Sequence, residues 1–449
     1  MIHQYKLSGY NIVLDIHSGA VHVVDDVTYD ILEKLTPPLL NVCPKELFTL
    51  PYSKEDIVSA YDELFALYKK EQLFSVDDYQ KFDNLMSLSP IKSMCLHIAH
   101  DCNLRCKYCF ADKGAYEGGR SMMSLEVGKK AIDFLIKQSQ GRHNLEVDFF
   151  GGEPLMNFEV VKDIVKYARS IEKENDKNFK FTITTNGLLL TDDKIDFINK
   201  EMCNVVLSSD GRPEVNDKMR VHIDGTGSYD SFMPKFKKLV AQRGDKEYYI
   251  RATFTKYNKD FMQDVLHFYN EGFEQISVEP VVTDPKYPYA LTEEDLPDIY
   301  AEYDRLANKL IEMRKEDKFF NFFHFMMDLE QGPCAIKRLR GCGCGNEYIA
   351  VTPDGDVYPC HQFVGHEEWK MGTLDSIELD PVMKEKFAHS TVYCKAECKS
   401  CWAKFYCSGG CNAANMNYCG DILKPFPLAC ALEKKRVECA IMIKAALVE

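Results

Sequence analysis

The chain has 449 residues and a formal net charge of −14, and its length suggests about three domains of roughly 150 residues each. The negative charge argues against nucleic acid or an anionic membrane surface as a partner. No apolar run approaches the ~20 residues that span a bilayer, and the N-terminus lacks the apolar segment of a signal peptide. We therefore expect a cytoplasmic protein that binds neither nucleic acid nor membrane. In that reducing compartment, its 18 Cys indicate metal or redox ligands rather than disulfides.

The first block, residues 1–90, reads as a small unit of strands and helices. Asp25 or Asp26 is a candidate N-cap for the first helix, and Ser53 is a candidate N-cap for the second. The block contains no reactive cluster, so it is either purely structural or a binding module whose exposed sheet edge a peptide extends. The sequence predicts three short strands and two helices, in the order 5–9, 10–16, 19–24, 25–35 and 53–70.

The second block, residues 91–316, alternates apolar segments with amphipathic helices. Such β/α repeats predict a parallel sheet, and six repeats are two short of a full eightfold barrel. Because the carboxyl ends of parallel strands share one face, residues that follow the strands should form one site. The six predicted strands are 92–100, 144–152, 179–187, 204–211, 248–256 and 274–282, and polar or Gly-rich residues follow four of them, at Cys102, 151–154, 185–187 and 208–211.

The third block, residues 317–449, loses the repeat. Twelve of the 18 Cys lie between Cys334 and Cys439, and Gly is frequent among them. We expect little regular structure here, so that bound metal rather than an apolar core organises the segment.

The chemistry begins in a loop after the first strand of the second block, where Cys102, Cys106 and Cys109 follow the spacing CxxxCxxC. Thiolates are soft ligands that suit iron–sulfur clusters or zinc. A structural zinc site takes four ligands, and no fourth Cys or His follows within reach of the loop. Three thiolates on a cluster of four irons leave one iron open, which is a place for a substrate or cofactor to bind directly.

This loop resembles the signature of the radical S-adenosylmethionine superfamily, CxxxCxΦC, with Tyr108 at the aromatic position. The resemblance implies that Cys102, Cys106 and Cys109 hold the catalytic [4Fe–4S] cluster. It also implies that the backbone of Gly151 and Gly152, together with the Glu153 carboxylate, receives the amino group of the cofactor. Further cofactor contacts implied by the resemblance are the SxDG segment at Ser208 and Asp210, a bidentate pairing of Arg220 with the cofactor carboxylate, and Thr253 on the fifth strand, next to Arg251.

The C-terminal cysteines are similar to the SPASM extension, which has CX(9–15)GX4C, then CX2CX5CX3C, then a final Cys. That extension holds two auxiliary [4Fe–4S] clusters with interleaved ligands. The resemblance assigns Cys344, Cys360 and Cys411 to the first auxiliary cluster. It assigns the second auxiliary cluster to Cys398, Cys401, Cys407 and Cys430.

The fourth ligand of the first auxiliary cluster stays open at this point. Cys342, Cys334 and Cys419 are candidates, and the remaining possibility is an open iron that accepts a substrate thiolate. The flanking Gly341, Gly343 and Gly345 would permit the tight bend that a CxC pair needs. The leftover Cys43, Cys95, Cys203 and Cys439 are expected to be small buried hydrophobic residues.

Taken together, the chain resembles thioether-forming maturases of Cys-rich ribosomal peptides, in particular the SCIFF peptide maturases, a class that includes sactipeptide and ranthipeptide chemistry. The resemblance implies an α/β fold in three parts. These are an N-terminal winged-helix-like peptide-recognition module (1–90), a partial (β/α)6 barrel (91–316) and a C-terminal iron–sulfur SPASM domain (317–449).

The implied cofactors are S-adenosylmethionine and three [4Fe–4S] clusters. The implied partners are a Cys-rich precursor peptide with a leader, and an external electron donor such as flavodoxin or ferredoxin. In the implied reaction a 5′-deoxyadenosyl radical abstracts hydrogen from a substrate carbon, and a substrate Cys then forms a thioether there.

Two alternatives remain. An anaerobic sulfatase-maturing enzyme, which converts Cys or Ser to formylglycine, has an Asp directly after the Cys of its GX4C element, whereas His361 stands there in this chain. Imidazole titrates near neutral pH, so a basic role stays open. The non-enzymatic alternative is a zinc-stabilised binding protein, which leaves the ordered strand-end motifs unexplained.

Overall fold

The computed structural model describes residues 1–83, 89–116, 118–329 and 335–448. The N-terminal unit is an antiparallel sheet of three strands in the order β1-β2-β3, accompanied by helices. The predicted caps are confirmed, because the side chains of Asp25 and Ser53 accept hydrogen bonds from backbone N–H groups in the first helical turns. The elements are β1 (Ile2–Leu7), β2 (Tyr10–Asp15), β3 (Val21–Val24), α1 (Asp26–Leu32), α2 (Lys54–Lys69) and α3 (Gln80–Asp83).

The central unit alternates strands and helices as predicted. Its strands are β4 (Ser93–Ala99), β5 (Asn144–Gly151), β6 (Asn178–Thr185), β7 (Met202–Ser208), β8 (Glu247–Phe254), β9 (Gln275–Pro280) and β10 (Asn321–Phe322). Its helices are α4 (Leu125–Gln138), α5 (Phe158–Ile171), α6 (Asp192–Glu201), α7 (Pro213–Met219), α8 (Tyr229–Ala241), α9 (Met262–Asn270) and α10 (Leu296–Lys315).

The C-terminal segment has more regular structure than we expected. Its 22-residue final helix places Leu432, Val437 and Ile441 in the main hydrophobic core. The prediction of sparse structure was wrong. The sequence pattern of this segment is dominated by Cys and Gly, so it gave no signal for the short helices and strands that pack on the rest of the fold. The elements are α11 (Ala335–Arg340), β11 (Tyr348–Val351), β12 (Asp356–Tyr358), β13 (Gly372–Thr373), α12 (Pro381–Ala388), α13 (Ala396–Lys399), α14 (Lys404–Cys407), α15 (Asn412–Cys419) and α16 (Pro427–Val448).

One ten-stranded sheet joins the central and C-terminal units, in the order β10-β9-β8-β7-β6-β5-β4-β11-β12-β13. Strands β4 to β9 are parallel neighbours, β10 adds to β9, and β11 adds in parallel to β4. The two ends of this sheet are not paired with each other within the described residues, so the barrel is partial and open, as predicted. All carboxyl ends of β4 to β9 therefore meet at one face.

Strand burial follows from this arrangement. Residues of β5 and β6 alternate between buried positions and partly exposed ones, because one face packs on helices and the other lines the barrel interior. All of β4 is buried, since it lies between β5 and β11. Among the described residues, no helix is both long and apolar enough to span a membrane.

Candidate active site

The three thiols of the loop after β4 lie around a cavity of about 160 Å³ at the carboxyl ends of the strands. Cys102 Sγ accepts a hydrogen bond from Leu104 N at 3.4 Å, and the Asn186 side-chain amide lies 3.7 Å from the same sulfur. Burial raises the pKa of Cys102 to about 12 and that of Cys106 to about 11. A bound metal would remove these protons, since coordination by a cation deprotonates a thiol.

The segment 151–154, here called GGEP, forms the second wall of the cavity through close backbone contact. Gly152 N donates to Ala99 O at 2.7 Å, and Glu153 N donates to Asp101 O at 2.9 Å. A Cβ on Gly151 would lie 2.2 Å from Ala99 O, and one on Gly152 would lie 2.0 Å from Asp101 O. Any side chain at these two positions would therefore push the strand end and the thiol loop apart.

The Glu153 carboxylate is buried and already accepts three hydrogen bonds. They come from Thr185 Oγ1 at 2.8 Å, Asn186 N at 2.8 Å and Leu155 N at 3.0 Å. A carboxylate has about four acceptor positions, so at most one remains for a ligand. Glu153 thus fixes the end of β6 against GGEP. Because Gly151 O already accepts from the Tyr116 hydroxyl at 3.1 Å, the candidate acceptors for a ligand ammonium are the last position of Glu153 and the Gly152 carbonyl.

Arg220 is the positively charged residue among the described residues that line the cavity. Its Nε is buried and has no hydrogen-bond partner, while one terminal nitrogen donates to the Tyr108 hydroxyl at 3.1 Å. A guanidinium with a free Nε facing a cavity fits a carboxylate ligand. Together with the backbone acceptors of GGEP, Arg220 matches the amino and carboxylate groups of an amino-acid moiety, so the donor set fits S-adenosylmethionine.

Asp210 and Thr253 lie behind this wall rather than at the cavity surface. The Tyr108 hydroxyl lies 2.8 and 2.6 Å from the two Asp210 oxygens, and Thr253 N donates to Asp210 at 3.1 Å. Neither Asp210 nor Thr253 is among the lining residues. Asp210 thus holds the Tyr108 hydroxyl, which in turn contacts Arg220. The predicted contact of Asp210 and Thr253 with the cofactor stays a prediction.

The structure brings nine of the predicted site residues to the cavity. Asn186 and the aromatic pair Phe110 and Phe150 also line it, although the sequence assigned them no role; only the position of Asn186 at a strand end hinted at one. The volume is below the ~300–1,000 Å³ of typical small-molecule sites, so a nucleoside would extend beyond it. The predicted residues at the cavity are Cys102, Cys106, Tyr108, Cys109, Gly151, Gly152, Glu153, Ser208 and Arg220.

The C-terminal thiols fall into two groups that match the interleaved assignment. In the first group, Cys344 is hydrogen-bonded to the thiols of Cys342 and Cys360, and Cys411 interacts electrostatically with Cys360 and Cys342. Cys342 therefore lies with the three predicted ligands. Gly341, Gly343 and Gly345 all have φ near +70°, and this conformation makes the tight CxC bend.

The second group surrounds a cavity of about 590 Å³ lined by Cys398, Cys401, Cys407 and Cys430. Cys419 is an electrostatic neighbour of Cys430, so it lies beside the second group and not the first. Cys334, the other candidate for the first group, lies outside the described residues. Of the leftover cysteines, Cys95 and Cys439 are buried, Cys43 is half-buried and Cys203 is exposed, so the expectation of burial was wrong for Cys203.

In the described ranges, no three His, Cys, Asp or Glu side chains converge as the ligands of a single metal ion do.

A layer of aromatic side chains separates the first thiol group from the cofactor cavity. The His361 ring, next to Cys360, lies 5.5 Å from the Phe110 ring and 5.1 Å from the Phe150 ring. Burial and the charge of Arg251 lower the pKa of His361 to about 4, so the imidazole is neutral near pH 7.

Comparison with known protein families identifies two iron–sulfur regions. Residues 93–231 match a 4Fe-4S single cluster domain, and residues 342–402 match SPASM, an iron–sulfur cluster-binding domain. The second match begins at Cys342.

Two curated relatives illustrate the range of similar sequences. A cysteine-type anaerobic sulfatase-maturating enzyme of Clostridium novyi is 25% identical over 69% of this chain and 85% of its own length. The radical SAM cyclopropyl synthase TigE of Paramaledivibacter caminithermalis is 23% identical over 95% of this chain and 91% of its own length.

Two solved structures share the fold. The anSMEcpe enzyme with bound AdoMet and a peptide aligns with a TM-score of 0.66 and 20% identity over 80% of this chain and 100% of its own. Streptococcus suis SuiB bound to its precursor peptide SuiA aligns with a TM-score of 0.52 and 16% identity over 95% of this chain and 98% of its own.

Proposed function

We propose that this chain, which has the radical S-adenosylmethionine fold with a SPASM domain, is a maturase that forms a thioether between a Cys and a carbon of a ribosomally made peptide. The observation that carries the proposal is the combination of a strand-end cofactor cavity and two thiol groups with an N-terminal sheet that has a free edge. The fold of a peptide-bound enzyme extends over 95% of the chain, so the N-terminal unit falls largely within this likeness.

Strand addition at β3 would recognise the leader of the peptide. On the other edge strand, β1, the side chains of His3 and Tyr5 extend from one face of the strand to α16, where His3 bonds the Glu438 carboxylate and the Tyr5 hydroxyl donates to the Glu438 carbonyl, both at 2.9 Å. We assign the leader to β3, the opposite edge of the sheet, where Val23 is 49% exposed and His22 bonds the Gln72 carbonyl at 2.9 Å. An extended peptide would gain main-chain hydrogen bonds there and a pocket for alternate side chains.

Within the cavity, the chain's residues bind and orient the cofactor. The Cys102, Cys106 and Cys109 thiolates hold the first cluster, GGEP carbonyls accept from the cofactor ammonium, and Arg220 pairs with its carboxylate. When bound, S-adenosylmethionine supplies an organic radical that removes hydrogen from a substrate carbon. Gly151 and Gly152 keep the thiol loop and the strand end in contact, which fixes the distance between cluster and cofactor.

The first auxiliary group lies across the aromatic layer from the cavity, a position that suits an electron acceptor for the reaction. We assign Cys342 as its fourth thiolate, beside Cys344, Cys360 and Cys411. With four ligands from the chain, the cluster would accept the electron released when sulfur bonds to carbon, while the thiol proton leaves to solvent. The open-iron alternative would instead require a substrate Cys to replace Cys342.

Formylglycine formation in a sulfatase is the runner-up, and the 25% identity to a sulfatase-maturating enzyme supports it. The neutral, half-buried His361 at the position after Cys360, in place of the Asp of that family, weakens it. The test is incubation of the reconstituted enzyme with candidate Cys-rich peptides, chosen from short reading frames in the neighbourhood of the gene. Thioether formation removes two hydrogen atoms, keeps every sulfur and leaves one Cys that cannot be alkylated. A product that has lost one sulfur, or that has lost two hydrogens while every Cys is still alkylated, would refute the proposal in favour of formylglycine.

A further inference from the structure

One buried cation lies between the two C-terminal thiol groups. Lys395, just before α13, has 1% of its surface exposed. Its Nζ donates to Gly409 O at 2.7 Å and to Asn412 Oδ1 at 3.0 Å. Gly409 lies between Cys407 and Cys411, which are assigned to different clusters. Lys395 is therefore hydrogen-bonded to a segment that contributes ligands to both sites.

The oxygen partners of Lys395 are neutral, and the groups that act on its charge are thiols of both sets: Cys398 and Cys407 on one side, Cys344 and Cys411 on the other. Removing an ammonium from water is costly unless negative charge faces it. Thiolate-ligated clusters would supply that charge on both sides.

A second buried lysine shows the contrast. Lys404, at the start of α14, is 2% exposed, and its Nζ lies 2.8 Å from the Asp77 carboxylate of the N-terminal unit. Its charge is therefore balanced by a carboxylate, although it lines the cavity of the second group. Lys395 has no such carboxylate among its hydrogen-bond partners.

We propose that Lys395 is a shared cation for both auxiliary clusters, which stabilises the negative charge that each cluster gains on one-electron reduction. The reduction potential of an iron–sulfur cluster depends on net charge, hydrogen bonding and solvent exposure around it, and a buried ammonium changes the first of these for both sites together. Lys395 is a positioning and tuning residue, since it acts through the clusters and does not touch substrate. The inference rests on the presence of the two clusters in the proposed function, but not on which bond the enzyme forms.

The experiment is an anaerobic titration of reconstituted full-length enzyme with sodium dithionite, with electron paramagnetic resonance to follow each cluster and iron analysis to count them. The variants are Lys395→Met, Lys395→Gln and Lys395→Arg. We expect the neutral variants to lower the one-electron reduction equilibrium constant of both auxiliary clusters at least tenfold, or about 59 mV, and Lys395→Arg to preserve it. The control is Lys177→Met, which removes another buried lysine whose Nζ donates to two neutral oxygens, Gln140 O and Arg142 O, both at 2.8 Å, outside the two thiol groups, and should leave the constants within about threefold.

Each result of this titration either supports or overturns the inference. Unchanged constants in fully loaded Lys395→Met and Lys395→Gln would overturn the inference. If the neutral variants lose iron at the auxiliary sites, retention by Lys395→Arg supports a need for positive charge, and loss in Lys395→Arg as well shows that shape alone matters and overturns it. Wild-type enzyme without auxiliary clusters would refute the proposed function itself, which is a different result from three clusters whose constants do not move.

Discussion

Replacing Tyr108 with Phe tests whether this side chain orients the cofactor-binding arginine. The substitution keeps the ring beside the cluster loop and removes the hydroxyl that lies 2.8 and 2.6 Å from the Asp210 oxygens and 3.1 Å from an Arg220 nitrogen. Asp210 then keeps the backbone donor Thr253 N at 3.1 Å, while Arg220 loses its link to Asp210.

The size of the effect follows from these contacts. A hydrogen bond to a charged group contributes about 1.5–3 kcal/mol. If Arg220 loses that much preorganisation, the Kd for S-adenosylmethionine rises roughly 10- to 150-fold, at about 1.4 kcal/mol per factor of ten. Because no thiolate is altered, the iron content should not change.

Equilibrium binding of S-adenosylmethionine to anaerobically reconstituted enzyme measures this Kd. Tyr167→Phe is the matched control, since its hydroxyl donates to the exposed Asp133 carboxylate at 2.7 Å, far in sequence from the cavity residues. We expect the control to bind like wild type. A Kd within twofold of wild type for Tyr108→Phe, at full iron content, would show that Asp210 and Tyr108 do not orient Arg220.

Three further predictions concern other parts of the molecule. Replacing Cys102, Cys106 and Cys109 together with Ala should leave two clusters per chain by iron analysis and abolish formation of 5′-deoxyadenosine; continued cofactor cleavage would contradict the assignment. Val23→Asp on the edge strand β3 should weaken precursor-peptide binding at least tenfold by calorimetry without changing cofactor cleavage in the absence of peptide, whereas Val42→Asp, at a position that is 76% exposed, should have no effect; equal affinities would assign the N-terminal sheet another role. Burial and Glu146 raise the pKa of Asp148 to about 6, so the folded state holds this proton more tightly than the unfolded chain does. The free energy of unfolding therefore falls by up to about 3 kcal/mol as pH rises from 4 to 6. The thermal midpoint of Asp148→Asn should therefore exceed that of wild type at pH 8 by more than at pH 5, and a pH-independent difference would refute this reasoning.

The convergence of the cluster loop with GGEP, Ser208 and Arg220 was predictable from the sequence. The cluster loop, GGEP and Ser208 lie at the ends of different strands, and parallel strands bring their carboxyl ends to one face whatever the intervening helices contain. The same rule placed Asn186 at this face. Arg220 comes after α7 rather than directly after a strand, and it was assigned through the family resemblance. The division of the C-terminal thiols into two sets came from the resemblance to the SPASM extension, and not from chain spacing alone.

Features that depend on side-chain packing were not predictable. The sequence could not show that Asp210 is hydrogen-bonded to the Tyr108 hydroxyl, because the two residues are 102 positions apart and meet only through packing. Nor could it show that Cys342 joins the first thiol group, since that depends on three successive glycines adopting positive φ. The exposure of Cys203, at the start of β7, depends on which face of the strand it occupies. The long helix α16 was missed because the cysteine spacing was the dominant signal in that part of the sequence.

The central claim is that a peptide cysteine becomes bonded to carbon, and counting free thiols in the product tests it most directly. Peptide treated with enzyme, S-adenosylmethionine and a reductant should be reduced, alkylated and analysed by tandem mass spectrometry. A thioether removes two hydrogens and leaves one cysteine that cannot be alkylated, with a fragment that maps the sulfur to its partner residue. A product that has lost two hydrogens while every cysteine still reacts, as in a carbon–carbon ring closure, would contradict the account.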